Sequence, residues 1–193
     1  DVSAASHRKA SLVRLAKNGG KGAAVISGLY VADNMNFTHA IQIDADGQHD
    51  LAAVTDFLDQ AHHNPQALVC GYPIYDQTVP LSRLWGRELT NFWVHVNTRS
   101  KALRDAMCGF RVYPLAQTLP VLPSVKTRRM DFDPDIVVRL IWAGVTVINR
   151  PVHVTYPKDG ISHFRGFSDN MRISRLHAGH FCTMLLRRMG LAK

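Results

Sequence analysis

The chain has 193 residues, of which 46% are apolar and 20% charged, with a formal net charge of +8. This composition is typical of one compact soluble domain and argues against a disordered protein or a coiled coil. No apolar run approaches the roughly 18 residues of a membrane-spanning helix, and three scattered cysteines favour a cytosolic protein over a disulfide framework or a zinc site.

Strand and helix patterns alternate along the first half of the chain. Alternation of polar and apolar residues indicates strands, and apolar spacings of three and four residues indicate helices. The predicted order is a strand over 11–15, a helix over 21–32, a strand over 39–44, a helix with the N-cap Asp50, and a strand over 67–71. The core side of the helix after Asp50 is predicted to contain Leu51, Val54, Leu58 and Ala61.

The longest helical pattern has apolar residues at Trp85, Leu89, Phe92, Trp93 and Val96. At this spacing both tryptophans are predicted to lie in the core. The elements predicted after it are a strand over 108–113, a helix with Asp133 as N-cap, Pro134 at its first position and Gly144 past its end, a β-rich segment over 145–156 broken by Pro151, and a helix over 168–189.

This order predicts an α/β fold with a mostly parallel central sheet and helices on both faces. Such sheets usually begin with a strand, whereas residues 1–10 are polar without a strand pattern, so we expect a missing first strand. We divide the chain into a domain over 1–166 and a C-terminal basic amphipathic helix over 167–193, which packs on the domain or on a membrane surface.

Two carboxylates stand where the strand over 39–44 ends. Asp44 and Asp46 are one residue apart and are followed by Gly47 and Gln48. Ligands of α/β sheets bind at the carboxyl ends of strands, and Mg²⁺ and Mn²⁺ prefer oxygen ligands together with phosphate oxygens. The pattern indicates a divalent-cation site that bridges to a diphosphate, although Asp and Gly are also common in ordinary turns.

Five motifs in a fixed order carry a resemblance to a known family. They are Asn-Gly-Gly-Lys-Gly-Ala-Ala over 18–24, Ile-Asp-Ala-Asp-Gly-Gln-His-Asp over 43–50, Asp-Ala-Met-Cys-Gly-Phe-Arg over 105–111, Phe-Asp-Pro-Asp over 132–135 and Ser-His-Phe-Arg over 162–165. From about residue 11 to 177, the chain resembles family 2 of the inverting glycosyltransferases, of GT-A type, in the dolichyl-phosphate-mannose-synthase-like branch. The family's N-terminal Asp-Asp-Gly-Ser turn is absent, so we expect an N-terminally incomplete transferase of weak or no activity.

The resemblance implies roles at the donor side. Asp44, Asp46 and Gln48 are expected to hold Mg²⁺ or Mn²⁺, and Asp44 and Asp46 to bind the nucleotide sugar together with Asn18 and Lys21. Lys21 has a second interpretation as a solvated lysine at a helix start. Asp46 and Asp105 are the expected catalytic residues, and Asp105 is either a general base for the acceptor or a structural partner of Arg111.

Basic residues are expected at the acceptor side. Arg83 and Arg87 share one face of their helix, and with Arg111, His163 and Arg165 they are predicted to form a cluster for an acceptor phosphate. The alternative is a set of separate surface residues paired with acids.

The C-terminal segment is strongly basic. Residues 158–193 contain seven Lys or Arg and two Asp. The apolar side of its helix contains Ile173, Phe181, Met184, Leu185 and Met189, and the opposite side Arg172, Arg175 and Arg187. This is typical of a basic interfacial helix, although packing against the domain or a second subunit explains the same pattern.

The sequence therefore predicts an enzyme that transfers a hexose from a nucleotide-diphosphate sugar to a lipid-linked or phosphorylated acceptor, with inversion. We expect a cytoplasmic protein, peripheral at the inner face of the cell membrane, with no nucleic-acid partner. The alternatives are a nucleotidyltransferase acting on sugar phosphates and a non-catalytic basic module that binds nucleic acid or lipid.

Overall fold

A computed structural model describes residues 11–75, 79, 81–155 and 166–191, and only the backbone of 81–83 and 166–167. The helices are α1 Lys21–Asn34, α2 Ala53–His63, α3 Leu81–Thr98, α4 Leu115–Thr118, α5 Phe132–Trp142 and α6 Gly166–Arg188, with a 3₁₀ turn at Leu122–Ser124. The strands are β1 His39–Ile43, β2 Leu68–Tyr75, β3 Phe110–Pro114 and β4 Val147–Val154. Across these described residues, no helix combines the length and apolarity that crossing a membrane requires.

The four strands form one mixed sheet in the order β1-β3-β2-β4. β3 runs antiparallel to both β1 and β2, and β4 runs parallel to β2. The predicted α/β class is confirmed, and three of these four strands run in the same direction. The carboxyl ends of β1, β2 and β4 therefore lie at one edge of the sheet.

Helices cover both faces of the sheet. Along β2, Leu68 and Cys70 pack into a cluster with α1, α3 and α5, whereas Val69 packs with α2 on the other face. Alternate residues of a strand point to opposite faces, so the apolar run of β2 is explained by its burial on both sides. The larger cluster holds α1 and α5 against the sheet and fixes the positions of their N-terminal ends.

Two strand predictions were wrong. No strand forms over residues 11–15, where the side chains are exposed and the alternating pattern has no neighbouring strand. Pro151 does not break the β-rich segment but lies within the continuous strand β4. Of the four strands in the described sheet, β4 pairs with β2 alone, and on its other side the loop at His49 bridges to Val154 near the end of β4. Pro151 lies before that bridge, and an edge strand tolerates a proline where one of its sides needs no hydrogen bonds.

The core side of α2 agrees with the prediction only in part. Ala61 is buried as predicted, but Leu51 and Leu58 are exposed and Phe57 is buried instead. Asp50 precedes the helix by more than a capping position, and its carboxylate accepts a hydrogen bond from the N–H of Ala52 at 2.9 Å. The helix is therefore rotated so that the aromatic ring of Phe57, which contacts Phe110 edge to face, fills the core.

Helix α3 presents its apolar stripe to solvent. Trp85, Leu89 and Phe92 are 78%, 61% and 57% exposed, so the prediction that Trp85 lies in the core was wrong. The inward face is partly polar, since Asn91 and Asn97 are buried there. Their side chains hydrogen-bond to Ala106 and to His177, which explains how amides replace apolar residues in the core.

Helix α6 packs on the domain through α3 and α5. The ring of His177 stacks on half-buried Trp93, and His180 Nε2 lies 2.8 Å from a carboxylate oxygen of Asp135. Hydrogen bonds from His180 and Thr127 and the charge of Arg139 outweigh burial and lower the pKa of Asp135. Burial, with His180 nearby, lowers the pKa of His177 to about 4. The face that contains both histidines is therefore buried against the domain.

The neutral His177 should make the protein acid-sensitive. Its pKa is lower in the folded than in the unfolded chain, so stability falls as the pH drops from about 6.5 to about 4, by roughly 3 kcal/mol. His177→Gln keeps an acceptor for Asn97 but cannot titrate, and should lose less stability over this range. Urea unfolding at pH 7 and pH 4.5 measures the difference, with exposed His62→Gln as the matched control. An equal loss in wild type and His177→Gln would contradict the prediction.

Candidate active site

Three chain segments meet at the carboxyl end of β1. Lys21, the first residue of α1, places its ammonium nitrogen 2.6 Å from a carboxylate oxygen of Asp44 and 2.5 Å from one of Asp133. Asp44 follows β1, and Asp133 lies in the first turn of α5. One lysine therefore joins the ends of two helices to the end of the strand.

The glycine turn before α1 makes this approach possible. Gly20 has a φ of +91°, and a Cβ there would press on the backbone of Arg128. At Gly22 a Cβ would overlap Phe132 at the start of α5. The side chain of Asn18 accepts a hydrogen bond from the Gly20 N–H at 2.9 Å, so Asn18 stabilises the turn. Its predicted contact with the nucleotide sugar stays a prediction.

Asp133 belongs to this cluster, which the sequence did not predict. The expected N-cap role was wrong, because Asp131 holds that position and Asp133 is buried inside the first turn. Its carboxylate accepts a hydrogen bond from Gln42 Nε2 at 3.2 Å in addition to the ion pair with Lys21. The acidic helix start in the Phe-Asp-Pro-Asp motif was the available signal, but spacing alone could not choose between capping and an ion pair.

Burial and charge oppose each other at Asp44 and Lys21. Burial raises the pKa of Asp44, and the nearby charge of Asp133 acts in the same direction against the attraction of Lys21. For Lys21, burial acts to lower the pKa, but the carboxylates of Asp133 and Asp44 outweigh it and raise the pKa. Lys21 therefore stays protonated and positively charged between the two carboxylates.

The remaining predicted metal ligands lie on the loop after Asp44. Asp46 is exposed and accepts a hydrogen bond from the Gln48 N–H at 3.1 Å. The Asp44 carboxylate packs on Gly109, where a Cβ would overlap it. Among the described residues no group of three His, Cys, Asp or Glu has metal-binding geometry. The oxygen donors of Asp44, Asp46 and Gln48 still fit a hard cation in kind, so the metal site stays a prediction.

Asp105 is held by Arg87. A guanidinium nitrogen of Arg87 lies 2.7 Å from both carboxylate oxygens, and the N–H groups of Met107 and Cys108 donate to one of them. The expectation that Arg111 is its structural partner was wrong, since Arg87 takes that place. The buried carboxylate orders the loop before β3, and its catalytic role stays a prediction.

Arg111 is completely buried beneath the site. Its exposed fraction is 0%, and its guanidinium donates to the carbonyl oxygens of Asp133 and Ala106 at 3.0 and 2.7 Å. Arg87 is half-buried beside Asp105. The side chains of the other three members of the predicted acceptor cluster, Arg83, His163 and Arg165, lie outside the described residues. The structure therefore places Arg111 as a support of Asp133, and the cluster as a whole stays a prediction.

The fold is that of GT-A glycosyltransferases. The chain is similar in structure to glucosyl-3-phosphoglycerate synthase from Mycobacterium tuberculosis in complex with phosphoglyceric acid, with a TM-score of 0.53 and 14% sequence identity. The alignment covers 95% of this chain and 58% of that chain. At this identity the similarity establishes the fold alone.

In sequence, the chain is similar to the dolichyl-phosphate beta-glucosyltransferase of Dictyostelium discoideum. The two are 26% identical over 133 residues, which cover 65% of this chain and 40% of the relative, so the chain spans less than half of that protein. No family model matches the chain. The resemblance to glycosyltransferases predicted from the five motifs is confirmed by these two comparisons.

The pair of half-buried Arg87 and buried Asp105 should contribute strongly to stability. Replacing either partner leaves the other charge buried and unpaired, so Asp105→Asn and Arg87→Met should each lower the free energy of unfolding by about 3 kcal/mol. Their double variant should cost less than the sum. Urea unfolding of the four proteins measures this coupling.

The more accessible pair of Arg150 and Asp56 supplies a matched control. It has similar two-point geometry, at 2.7 and 2.6 Å, but its side chains are 36% and 40% exposed, so its loss should cost less than about 1 kcal/mol. An Asp105→Asn protein as stable as wild type would contradict a structural role for this carboxylate.

Proposed function

We propose that this chain is the catalytic part of a glycosyltransferase that moves a hexose from a nucleotide-diphosphate sugar to a phosphorylated acceptor, by direct displacement with inversion. The observation that carries the proposal is the cluster of Lys21, Asp44 and Asp133 at the carboxyl end of β1, with Asp46 exposed beside it. Sequence similarity to a glucosyltransferase and the GT-A fold support the same class.

At the donor side, Asp44, Asp46 and Gln48 would hold Mg²⁺ or Mn²⁺. Bound there, the cation would neutralise the charge that develops on the departing diphosphate. Lys21 starts α1, so its ammonium and the positive end of the helix both favour a phosphate group at this position. Asp133 orients Lys21, and Gly109 leaves space for the Asp44 carboxylate.

At the acceptor side, an oxygen of the acceptor attacks the anomeric carbon while the bond to the diphosphate breaks. The relatives are named for dolichyl phosphate and phosphoglycerate, both of which carry a phosphate. An ionised phosphate oxygen needs no general base. In that case Asp105 acts as the anchor of Arg87, and Arg83, Arg87, His163 and Arg165 supply the cations that attract the acceptor.

A membrane-held acceptor is the form that we favour. The stripe of Trp85, Leu89 and Phe92 points away from the domain, and amphipathic helices with aromatic and basic residues bind lipid surfaces. On α6, Phe181, Leu185 and Met189 are exposed together with Arg172 and Arg175. The protein would then be peripheral at the cytoplasmic face of the membrane.

Nucleotide binding tests the donor site. Calorimetric titration with UDP, GDP and other nucleoside diphosphates, with and without Mn²⁺, should show binding that depends on the cation. Asp46→Asn should abolish this dependence without changing stability, because Asp46 is exposed. Asp59→Asn, an exposed change on α2, is the matched control. Metal-dependent binding that survives Asp46→Asn would contradict the assignment of Asp46.

Vesicle binding tests the membrane surface. The protein should sediment with vesicles that contain anionic lipid, and Trp85→Gln with Phe92→Gln should reduce the bound fraction several-fold because the exposed apolar area is lost. Leu58→Gln removes an exposed apolar residue on α2, across the sheet, and should leave binding unchanged. Equal binding by the stripe variant and wild type would contradict the proposal.

A further inference from the structure

Lys21 is the ion-pair partner through which Asp44 is neutralised. Among the salt bridges of the described residues, Asp44 pairs with Lys21 alone, and its other side-chain contact is Gln42 Nε2 at 3.5 Å. Asp133 has more support, because Gln42 donates to it and the Arg111 guanidinium lies 3.5 Å from its carboxylate. Moving Lys21 away therefore leaves Asp44 without an ion-pair partner among the described residues but leaves Asp133 partly paired.

Asp44 is also the most constrained of the proposed cation ligands. Its carboxylate is packed on Gly109, and its backbone N–H donates to the Gly109 carbonyl oxygen at 3.2 Å. Lys21 contacts the Oδ2 atom of Asp44, and Oδ1 belongs to the same carboxylate, so a cation at either oxygen lies close to the ammonium group. Two positive charges at one carboxylate repel each other, so the ammonium and a divalent cation compete.

We propose that Lys21 is a built-in counter-ion of Asp44 that a divalent cation displaces, which makes Lys21 a positioning residue that couples cation binding to donor binding. This inference rests on the proposed function of the site. Lys21 retains Asp133 as a partner when it leaves Asp44, and a donor phosphate at the start of α1 offers it a second one. Cation alone therefore binds weakly, and cation with nucleotide diphosphate binds tightly.

Mn²⁺ binding measured by electron paramagnetic resonance tests the competition without any assay of activity. In the absence of nucleotide, Lys21→Met should bind Mn²⁺ about tenfold more tightly than wild type, because the competing charge is gone. Lys21→Arg keeps the charge and should not show this gain. Exposed Lys126→Met is the control for loss of a distant lysine and should match wild type. With a nucleotide diphosphate present, Lys21→Met should lose the cooperativity between cation and nucleotide.

A second measurement uses the wild-type protein and covers the case in which Lys21→Met does not fold. In protein labelled with ¹⁵N-lysine and ¹³C-aspartate, a coupling across the hydrogen bond between Lys21 Nζ and the Asp44 carboxylate carbon should be present in EDTA and lost when Mg²⁺ and nucleotide diphosphate are added, whereas the coupling to Asp133 should remain. Mn²⁺ affinity that is equal or lower in Lys21→Met, or a Lys21–Asp44 coupling that persists with ligands bound, would overturn this inference alone. If neither protein binds Mn²⁺ with or without nucleotide, the proposed metal site fails as well.

Discussion

A guanidinium group with no contact with water must find its hydrogen bonds inside the protein, and the site is built around this requirement at Arg111. Its two closest acceptors are the carbonyl oxygens of Asp133 and Ala106, which belong to the start of α5 and to the loop before β3. A buried charge that lost such partners would cost several kcal/mol. Arg111 therefore fixes both segments against the sheet, and Asp133 is held where it can meet Lys21.

The two carboxylates that contact Lys21 differ in the number of their other partners. Asp133 is supported from below by Arg111 and from the side by Gln42, whereas Asp44 depends on the flexible ammonium of Lys21. A lysine head on a four-carbon stem can change partners at lower cost than a guanidinium locked in two directions. The rigid part of the site is thus the buried Arg111–Asp133 pair, and the adjustable part is the Lys21–Asp44 pair that faces the exposed Asp46.

The fold class and the order of helices followed from periodicity, because the apolar runs of β2 and α5 reflect burial directly. Prediction from the sequence was wrong where one residue type fits two structural roles. Asp133 matched a helix cap but serves as an ion-pair partner, and Pro151 matched a break but lies on an edge strand. In α3 the apolar spacing gave the helix correctly but not its orientation, because hydrogen-bonded Asn91 and Asn97 occupy the inward face.

The orientation of α3 links its exposed apolar stripe to the residues of the candidate active site. Asn91 on α3 accepts a hydrogen bond from the N–H of Ala106, and Arg87 on the same helix holds Asp105, so the helix and this loop form one unit. The carbonyl of Ala106 in turn binds Arg111. The exposed stripe of α3 is therefore connected to Asp133 through hydrogen bonds, and the lipid surface that we propose for this stripe would be connected to the site in the same way. Such a connection would keep the distance between a membrane-bound acceptor and Asp44 constant. Replacing the inward-facing polar residues of α3 would make that distance more variable without changing the exposed stripe.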